Sequence, residues 1–193
     1  MRSLTLYGII LFISTVIISC NKQDDETHMN IVISPTDIEY TMPINASIEA
    51  GNNLGEIAVT YNLDSLIKKQ NGRFSTSNIE SIRLSGFSLT LDTELTEEEL
   101  AENSYSNIEN VTLFMGASGL ENSPALASSS TPDNDPPVKI ESISFNVTAT
   151  DNNLKPYLTG STAKFIFTGK LRRATTAALK GKAKATFKVS MSL

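Results

Sequence analysis

Few residues of this chain could carry out nucleophilic or metal chemistry. The 193 residues include one cysteine, Cys20, one histidine, His28, and no tryptophan. A Ser-His-Asp or Cys-His arrangement needs a base inside the folded domain, whereas His28 falls in a polar N-terminal segment. Zinc sites built from cysteine and histidine are excluded for the same reason, and no phosphate-cradling glycine-rich loop is present. The sequence therefore predicts no catalytic site, no metal site and no cofactor.

Carboxylates are the remaining source of chemistry, because glycosidases use two of them across the scissile bond. The densest acidic cluster runs from Glu94 to Glu102, and its spacing favours a solvated helix face. Asp133, Asn134 and Asp135 offer oxygen ligands for Ca²⁺, but they lack the spacing and the glycine of an EF-hand loop. We therefore favour a protein that is not an enzyme.

The chemistry of the cysteine is indicated by the residues before it. Residues 1–19 place Arg2 ahead of an apolar stretch, 4–18, that is too short for a bilayer span of about 20 residues and typical of a signal peptide. The stretch ends in Ile17-Ile18-Ser19-Cys20, which resembles the lipobox of bacterial lipoproteins, although isoleucine replaces the commoner leucine at its first position. The resemblance implies cleavage before Cys20, a diacylglycerol thioether on its sulfur and a further acyl chain, such as palmitate, on its amine. Two or more chains make a stable anchor.

The residues after the cysteine indicate where the protein is carried. Residues 21–26 read NKQDDE, with no aspartate directly after Cys20 to resemble an inner-membrane retention signal. A lysine followed by an acidic run resembles the export signal of surface-exposed lipoproteins in some Gram-negative bacteria, and it also suits a flexible tether. We expect a signal peptide at 1–19, a tether at 20–29 and one domain at 30–193. The expected location is the outer membrane, exposed at the surface or, alternatively, on the periplasmic face.

Alternation of apolar and polar residues predicts β-strands throughout this domain. In the last segment the odd positions from Ala183 to Leu193 are apolar, and the even positions are lysine, serine or threonine. The apolar parity changes at Ser85-Gly86, which predicts a β-bulge, and again between Ile140 and Ile143, which predicts a strand that bends or crosses between sheets. About seven or eight strands result. The expected fold is an antiparallel β-sandwich, immunoglobulin-like or jelly-roll-like.

Other segments predict short helices and loops. Two or three helices are expected: 65–70 capped by Asp64, 97–103 opened by a capping box, and a turn at 152–158. Residues 120–137, rich in serine and proline, predict a long exposed loop. Tyr105 and Tyr157 lie near predicted loops and are candidates for a surface contact, whereas the parity of Tyr61 assigns it to the core.

Charge is divided unevenly along the chain. The net charge is -5 and the pI about 4.9, which argues against nucleic-acid binding. Residues 20–151 hold all 21 acidic side chains and 6 basic ones, whereas 152–193 hold 9 basic and no acidic side chains. Six of these cations share the outward parity of two neighbouring predicted strands, and a hairpin would join them on one face. They are Lys164, Lys170, Arg172, Lys182, Lys184 and Lys188.

This face has three interpretations. It could bind a polyanion such as lipid phosphates or an acidic glycan. Acidic strands could instead neutralise it through cross-strand pairs, or edge lysines could prevent aggregation between sheets.

The general layout resembles short lipid-anchored β-sandwich proteins of the cell envelope. We expect a non-catalytic binding or assembly module anchored by Cys20, with an envelope protein or acidic glycan as partner. A structural or adhesive surface component and a carboxylate-dependent envelope hydrolase are the alternatives.

Overall fold

The computed structural model describes residues 28–59, 61–92, 96, 102–134, 138–148, 151–160 and 162–193. These residues form nine antiparallel β-strands, which confirms the mainly β prediction and adds one strand to the expected number. The strands are β1 His28–Ile33, β2 Ile38–Met42, β3 Asn52–Ala58, β4 Ile79–Leu91, β5 Ile108–Gly116, β6 Ala127–Ser130, β7 Ser142–Val147, β8 Lys164–Leu171 and β9 Leu179–Ser192.

The strands build two sheets that enclose one core. In the first sheet β1 and β2 follow one another along one side of β9, and β4 and then β7 lie on its other side. The second sheet has the order β7-β6-β5-β8-β3. β7 belongs to both sheets, because residues 142–145 pair with β4 whereas Asn146 and Val147 pair with β6. A strand that crosses between sheets is therefore present, but the crossing lies between Phe145 and Asn146 and not at the predicted parity change, which precedes the start of β7 at Ser142.

The predicted hairpin of the last two strands is wrong. β8 pairs with β3 and β5, whereas β9 pairs with β1, β2 and β4 in the other sheet. The connection between them is held by buried amide side chains. The Asn103 carbonyl accepts hydrogen bonds from the backbone N–H groups of Thr176 and Ala177, at 2.7 and 3.0 Å, and the Asn107 amide donates to the carbonyl of Ala174 at 3.3 Å. The chain therefore leaves one sheet and joins the other instead of turning back.

The predicted bulge in β4 is confirmed. The register of β4 against β9 shifts between Leu84 and Gly86, at the position where the apolar parity changes. Leu84 is buried before the shift and Phe87 after it, because the extra residue rotates the following side chains back toward the core. The Ser85 hydroxyl donates to the carbonyl of Thr186 at 3.1 Å.

The predicted loop at 120–137 is partly wrong. Its middle forms β6, which pairs with β5 and β7. Leu126 and Ala127 are fully buried, and the Leu126 N–H donates to the carbonyl of Leu113 at 2.8 Å. A serine-rich strand has little apolar alternation, so its pairing follows from the backbone of its neighbours.

Two α-helices lie in the described residues, α1 at Leu63–Gln70 and the one-turn α2 at Lys155–Leu158. Short 3₁₀ helices occupy Thr76–Asn78 and Tyr105–Asn107. The cap of α1 differs from the prediction, because the Asn62 side chain, not that of Asp64, accepts from the N–H of Ser65, at 3.0 Å. Residues 97–101 of the predicted helix 97–103 lie outside the described residues.

Four phenylalanines join the two sheets at the centre of the core. The ring of Phe87 on β4 lies 5.2 Å from that of Phe145, 4.9 Å from that of Phe165 and 5.8 Å from that of Phe167, measured between centroids. Phe165 and Phe167 belong to β8 in the second sheet. Contacts near a right angle add roughly 0.5–1.5 kcal/mol each to the burial of these rings.

Gly181 on β9 fits a site with no room for a side chain. It lies opposite Tyr40 of β2. A Cβ atom at this position would lie 3.0 Å from the Tyr40 ring and 2.2 Å from the carbonyl oxygen of Thr90 on β4. Burial raises the pKa of the Tyr40 phenol. The ring of Tyr40 therefore packs over the backbone of β9 at Gly181, where the strand has no side chain.

β2 and β3 approach each other on the side of the sandwich opposite β7. Each has one strand partner among the described residues, β9 for β2 and β8 for β3. Gly55 comes close to Met42 and Pro43 there, and Leu54 and Ile57 line a narrow gap between the two strands.

Candidate anion-binding face

The structure separates the six predicted cations into two groups of three. Lys164 and Lys170 on β8, with Arg172 directly after the strand, belong to the outside of the second sheet and are called the β8 cations; the three lysines on β9 belong to the outside of the first. The single face expected from a β8–β9 hairpin is therefore wrong, because the two strands are not neighbours. The groups also differ in their partners.

Each of the three β8 cations pairs with a carboxylate. The pairs are Lys164 Nζ–Glu56 Oε2 at 2.7 Å, Lys170 Nζ–Glu109 Oε2 at 2.8 Å and Arg172 Nε–Asp133 Oδ1 at 3.2 Å. Arg172 also donates to the carbonyl of Thr131 at 2.7 Å and to that of Ile108 at 3.1 Å. Neutralisation by acidic neighbours therefore explains this group, and it leaves little charge for an external ligand.

The lysines on β9 are exposed, and the described residues supply none of them with such a pair. Lys180, Lys182, Lys184 and Lys188 alternate with buried residues along the strand. No salt bridge within the described part of the chain involves any of these four. Eight residues of strand separate the first from the last, which is about 27 Å. They form a straight row of positive charge on the outside of the first sheet.

The strands beside β9 add one cation and many hydroxyl groups. Arg83 on β4 lies directly opposite Lys188, and Ser88 lies opposite Lys184. On the other side Val32 of β1 lies opposite Lys188. Two acidic residues accompany this row at its other end: Glu39 of β2 lies opposite Lys182, and Asp92, directly after β4, donates its backbone N–H to the carbonyl of Lys180 at 2.9 Å. We call the outward residues Lys180, Lys182, Lys184, Lys188 and Arg83 the β9 face. Lys180 and Arg83 were not among the six predicted cations, although their parity also directs them outward; that Arg83 lies opposite Lys188 follows from the register of β4 on β9.

Among the described residues, no salt bridge balances the charge at the Arg83–Lys188 end of the β9 face. Like charges directly opposite one another destabilise a sheet, as Arg83 and Lys188 are arranged. Edge protection does not explain Lys182 and Lys188, because each is paired with strands on both sides of β9. Among the described residues, acidic neighbours are confined to the end of the row near Glu39 and Asp92. An anion placed over the other end would relieve the repulsion between Arg83 and Lys188.

A second surface feature is an open cleft beside α1 and α2. Its volume is about 840 Å³, and Tyr61, Asp64, Thr76 and Lys155 are among the residues that line it. Burial first, and Asp37 second, raise the pKa of Tyr61. The hydrogen bond from Lys68 is the main cause that lowers the pKa of Asp64, and the backbone of Thr76 contributes.

The polar groups of this cleft are already engaged. Asp64 Oδ2 lies 2.5 Å from Lys68 Nζ, and Asp64 Oδ1 accepts from the N–H of Thr76 at 3.3 Å. Lys155 Nζ donates to the carbonyl of Ile79. Asp64 is the single carboxylate in the described lining, so the cleft as described lacks the second carboxylate that glycoside hydrolysis requires.

The remaining sequence candidates have varied positions. Ser19, Cys20 and Asp135 lie outside the described residues. His28 is the first residue of β1, so the sheet begins two residues earlier than the predicted tether boundary, and its Nδ1 lies 3.8 Å from Glu80 Oε1. Tyr105 is fully buried, which corrects its assignment to the surface. The Tyr157 hydroxyl donates to the carbonyl of Glu121 at 3.1 Å.

Comparisons with known proteins do not identify a family for this chain. No protein-family model matches the sequence, and no curated protein matches it. A solved structure of Desmodium yellow mottle tymovirus is similar at 10% identity and a TM-score of 0.25, over 100% of this chain and 96% of that one. A similarity this low carries no argument. Within the described ranges, no helix is long and apolar enough to span a bilayer, and no group of three or more acidic, histidine or cysteine side chains could hold a metal ion.

Proposed function

We propose that this chain is a lipid-anchored, non-catalytic binding module of the bacterial outer membrane, exposed at the cell surface, and that the β9 face binds a polyanionic component of the envelope. An acidic glycan and an acidic patch of an envelope protein both have the required charge. The observation that carries the proposal is the row of β9 lysines that have no salt bridge within the described residues, in contrast to Lys164, Lys170 and Arg172, which are all paired.

The anchor is supported by the sequence Ile17-Ile18-Ser19-Cys20 and by the position of the first strand. β1 begins at His28, at the edge of the first sheet, so seven residues separate it from Cys20. Fully extended, this segment spans at most about 28 Å. The anchor would hold the domain close to the membrane and leave its sheets outside the bilayer.

Mass spectrometry of the protein from a bacterial membrane fraction tests the anchor. We expect the mature chain to begin at Cys20 and to carry a diacylglycerol group and an amide-linked acyl chain. Cys20→Ser is expected to abolish lipidation. An unlipidated mature chain, or one that retains residues 1–19, contradicts this part of the proposal. Protease treatment of intact cells then tests exposure at the surface, because a periplasmic domain is protected from the added protease.

Retention on a soluble acidic polysaccharide tests the β9 face. The mature chain with Cys20→Ser should be retained at low ionic strength and released as salt screens the interaction. Lys182→Gln, Lys184→Gln and Lys188→Gln together should shorten retention strongly. Matched replacement of the three β8 cations, Lys164→Gln, Lys170→Gln and Arg172→Gln, changes the net charge equally and should have a small effect. Equal losses in both triple variants would show that only overall charge matters and would remove the β9 face from the proposal.

A further inference from the structure

We infer that the anion bound by the β9 face is the phosphate surface of the membrane that holds the chain, so that the domain lies with this face on anionic lipid headgroups. The inference rests on the proposed function, since it names the partner of the same face. It is carried by the geometry at the Arg83 end of the face, where charge, an exposed apolar side chain and the start of β1 lie together.

A row of outward side chains crosses three strands at Lys188. Val32 of β1, Lys188 of β9 and Arg83 of β4 lie opposite one another and point outward. With strands about 4.8 Å apart, the row is about 10 Å wide. Val32 is 55% exposed. An exposed apolar side chain beside two cations suits the boundary between headgroups and acyl chains, whereas a soluble acidic glycan has no acyl chains for it to contact.

The length of chain between Cys20 and β1 limits the distance from the anchor to this row. His28 pairs with Ser192 at the end of β9, and Lys188 lies four residues further along the strand, or about 13 Å. The seven residues before His28 span at most about 28 Å. Cys20 acylated in the membrane would therefore keep Lys188 and Arg83 within reach of the headgroups of the same leaflet.

The surface between the charges is made of short side chains. The residues that separate the cations on the outside of the sheet are small and carry hydroxyl groups, among them Ser81, Ser88, Thr90 and Ser190, which lie on β4 and β9. These four side chains are short, so they do not hold a planar partner away from the lysines. Hydroxyl groups also donate hydrogen bonds to phosphate oxygens. A laterally extended array of phosphates matches a row of lysines about 27 Å long.

Vesicle sedimentation tests the inference without the anchor. The mature chain with Cys20→Ser is mixed with vesicles of phosphatidylcholine, with or without phosphatidylglycerol, at increasing salt concentrations. We expect sedimentation with the anionic vesicles alone, and its loss as salt increases. With about 1 kcal/mol for each lysine near an anionic surface, Lys184→Gln with Lys188→Gln should weaken binding about 30-fold. Lys164→Gln with Lys170→Gln is the matched control of equal charge and should weaken binding less than about threefold.

A second variant separates lipid from other polyanions. Val32→Thr keeps a β-branched residue in β1 and removes the apolar contact. It should lower vesicle binding severalfold and leave retention on a soluble acidic polysaccharide unchanged. Thermal unfolding monitored by circular dichroism confirms that each variant is folded, and the salt dependence of the wild-type chain tests the charge term without any substitution.

The outcomes discriminate between the two proposals. Absence of binding to anionic vesicles, or equal weakening in the two double variants, overturns the inference. If the chain ignores vesicles but is still retained by the acidic polysaccharide through the β9 lysines, the inference fails and the proposed function stands. If neither ligand binds, the β9 face is a solvated surface and both proposals lose it. Lipidation of Cys20 is decided separately by mass spectrometry.

Discussion

Replacing Gly181 with alanine should destabilise the fold far more than a single added methyl group suggests. The new Cβ would lie 2.2 Å from the carbonyl oxygen of Thr90 and 3.0 Å from the ring of Tyr40. For the Thr90 oxygen, an ordinary contact begins about 1 Å beyond this distance. The strands β4 and β9 would therefore have to separate. The pairing of these strands is uninterrupted from Gly86 to Leu91, up to Gly181 itself, which opposes a local shift. Overpacking costs about 1–3 kcal/mol, and we expect the upper end, about 3 kcal/mol.

Thermal unfolding measures this effect directly. A loss of about 3 kcal/mol corresponds to a fall in Tm of about 6–12 °C for a domain of this size. Gly72→Ala is the matched control, because a Cβ there meets nothing within 4 Å, and it should change stability by less than about 0.5 kcal/mol. Gly169→Ala should resemble Gly181→Ala, since its Cβ would lie 2.2 Å from the carbonyl oxygen of Asn110. If Gly181→Ala melts with the control, the close approach of β4 and β9 at this residue is refuted.

Three further substitutions test the core and the first turn of α1. Phe87→Ala, at the ring cluster between the sheets, should cost about 3–5 kcal/mol in chemical unfolding, and a loss under about 1 kcal/mol would contradict the central position of this ring. Leu126→Ala should cost about 2–5 kcal/mol, whereas an exposed loop at 120–137 would tolerate it. Asp64→Asn should lower stability at neutral pH: the folded-state pKa of Asp64 is depressed, so its contribution is present above the unfolded value of about 3.9 and is lost as pH falls through the folded pKa. The difference from wild type should therefore vanish in acid, and a difference that persists at low pH would assign the effect to packing.

Local patterns in the sequence predicted which side chains point inward. Alternation in β9 assigned Lys182 and Lys184 to the outside and Phe187 to the core, because successive residues of a strand face opposite sides whatever its partners are. The bulge before Gly86 was predictable for the same reason. These inferences need only the chain itself.

The choice of strand partners could not be derived in this way. Whether β9 turns back onto β8 depends on contacts far apart in the chain, such as those that Asn103 makes with the connection before β9. The acidic partner of Lys170, Glu109, comes from β5, and its position follows from the register of β5 on β8. β6 was missed because its side chains are mostly small and polar. The charges of the candidate face were thus visible in the sequence. The sequence did not show that the cations of the second sheet are paired with carboxylates, whereas the β9 lysines have no such pair among the described residues.

The double membership of β7 determines where this sandwich can open. On that side the sheets cannot part without breaking the backbone ladders of β7 with β4 and β6. On the opposite side β2 and β3 meet around Gly55 through a gap lined by Leu54 and Ile57. Opening fluctuations should therefore begin there, and the amide protons of β2 and β3 should exchange with deuterium sooner than those in the middle of β4 and β9.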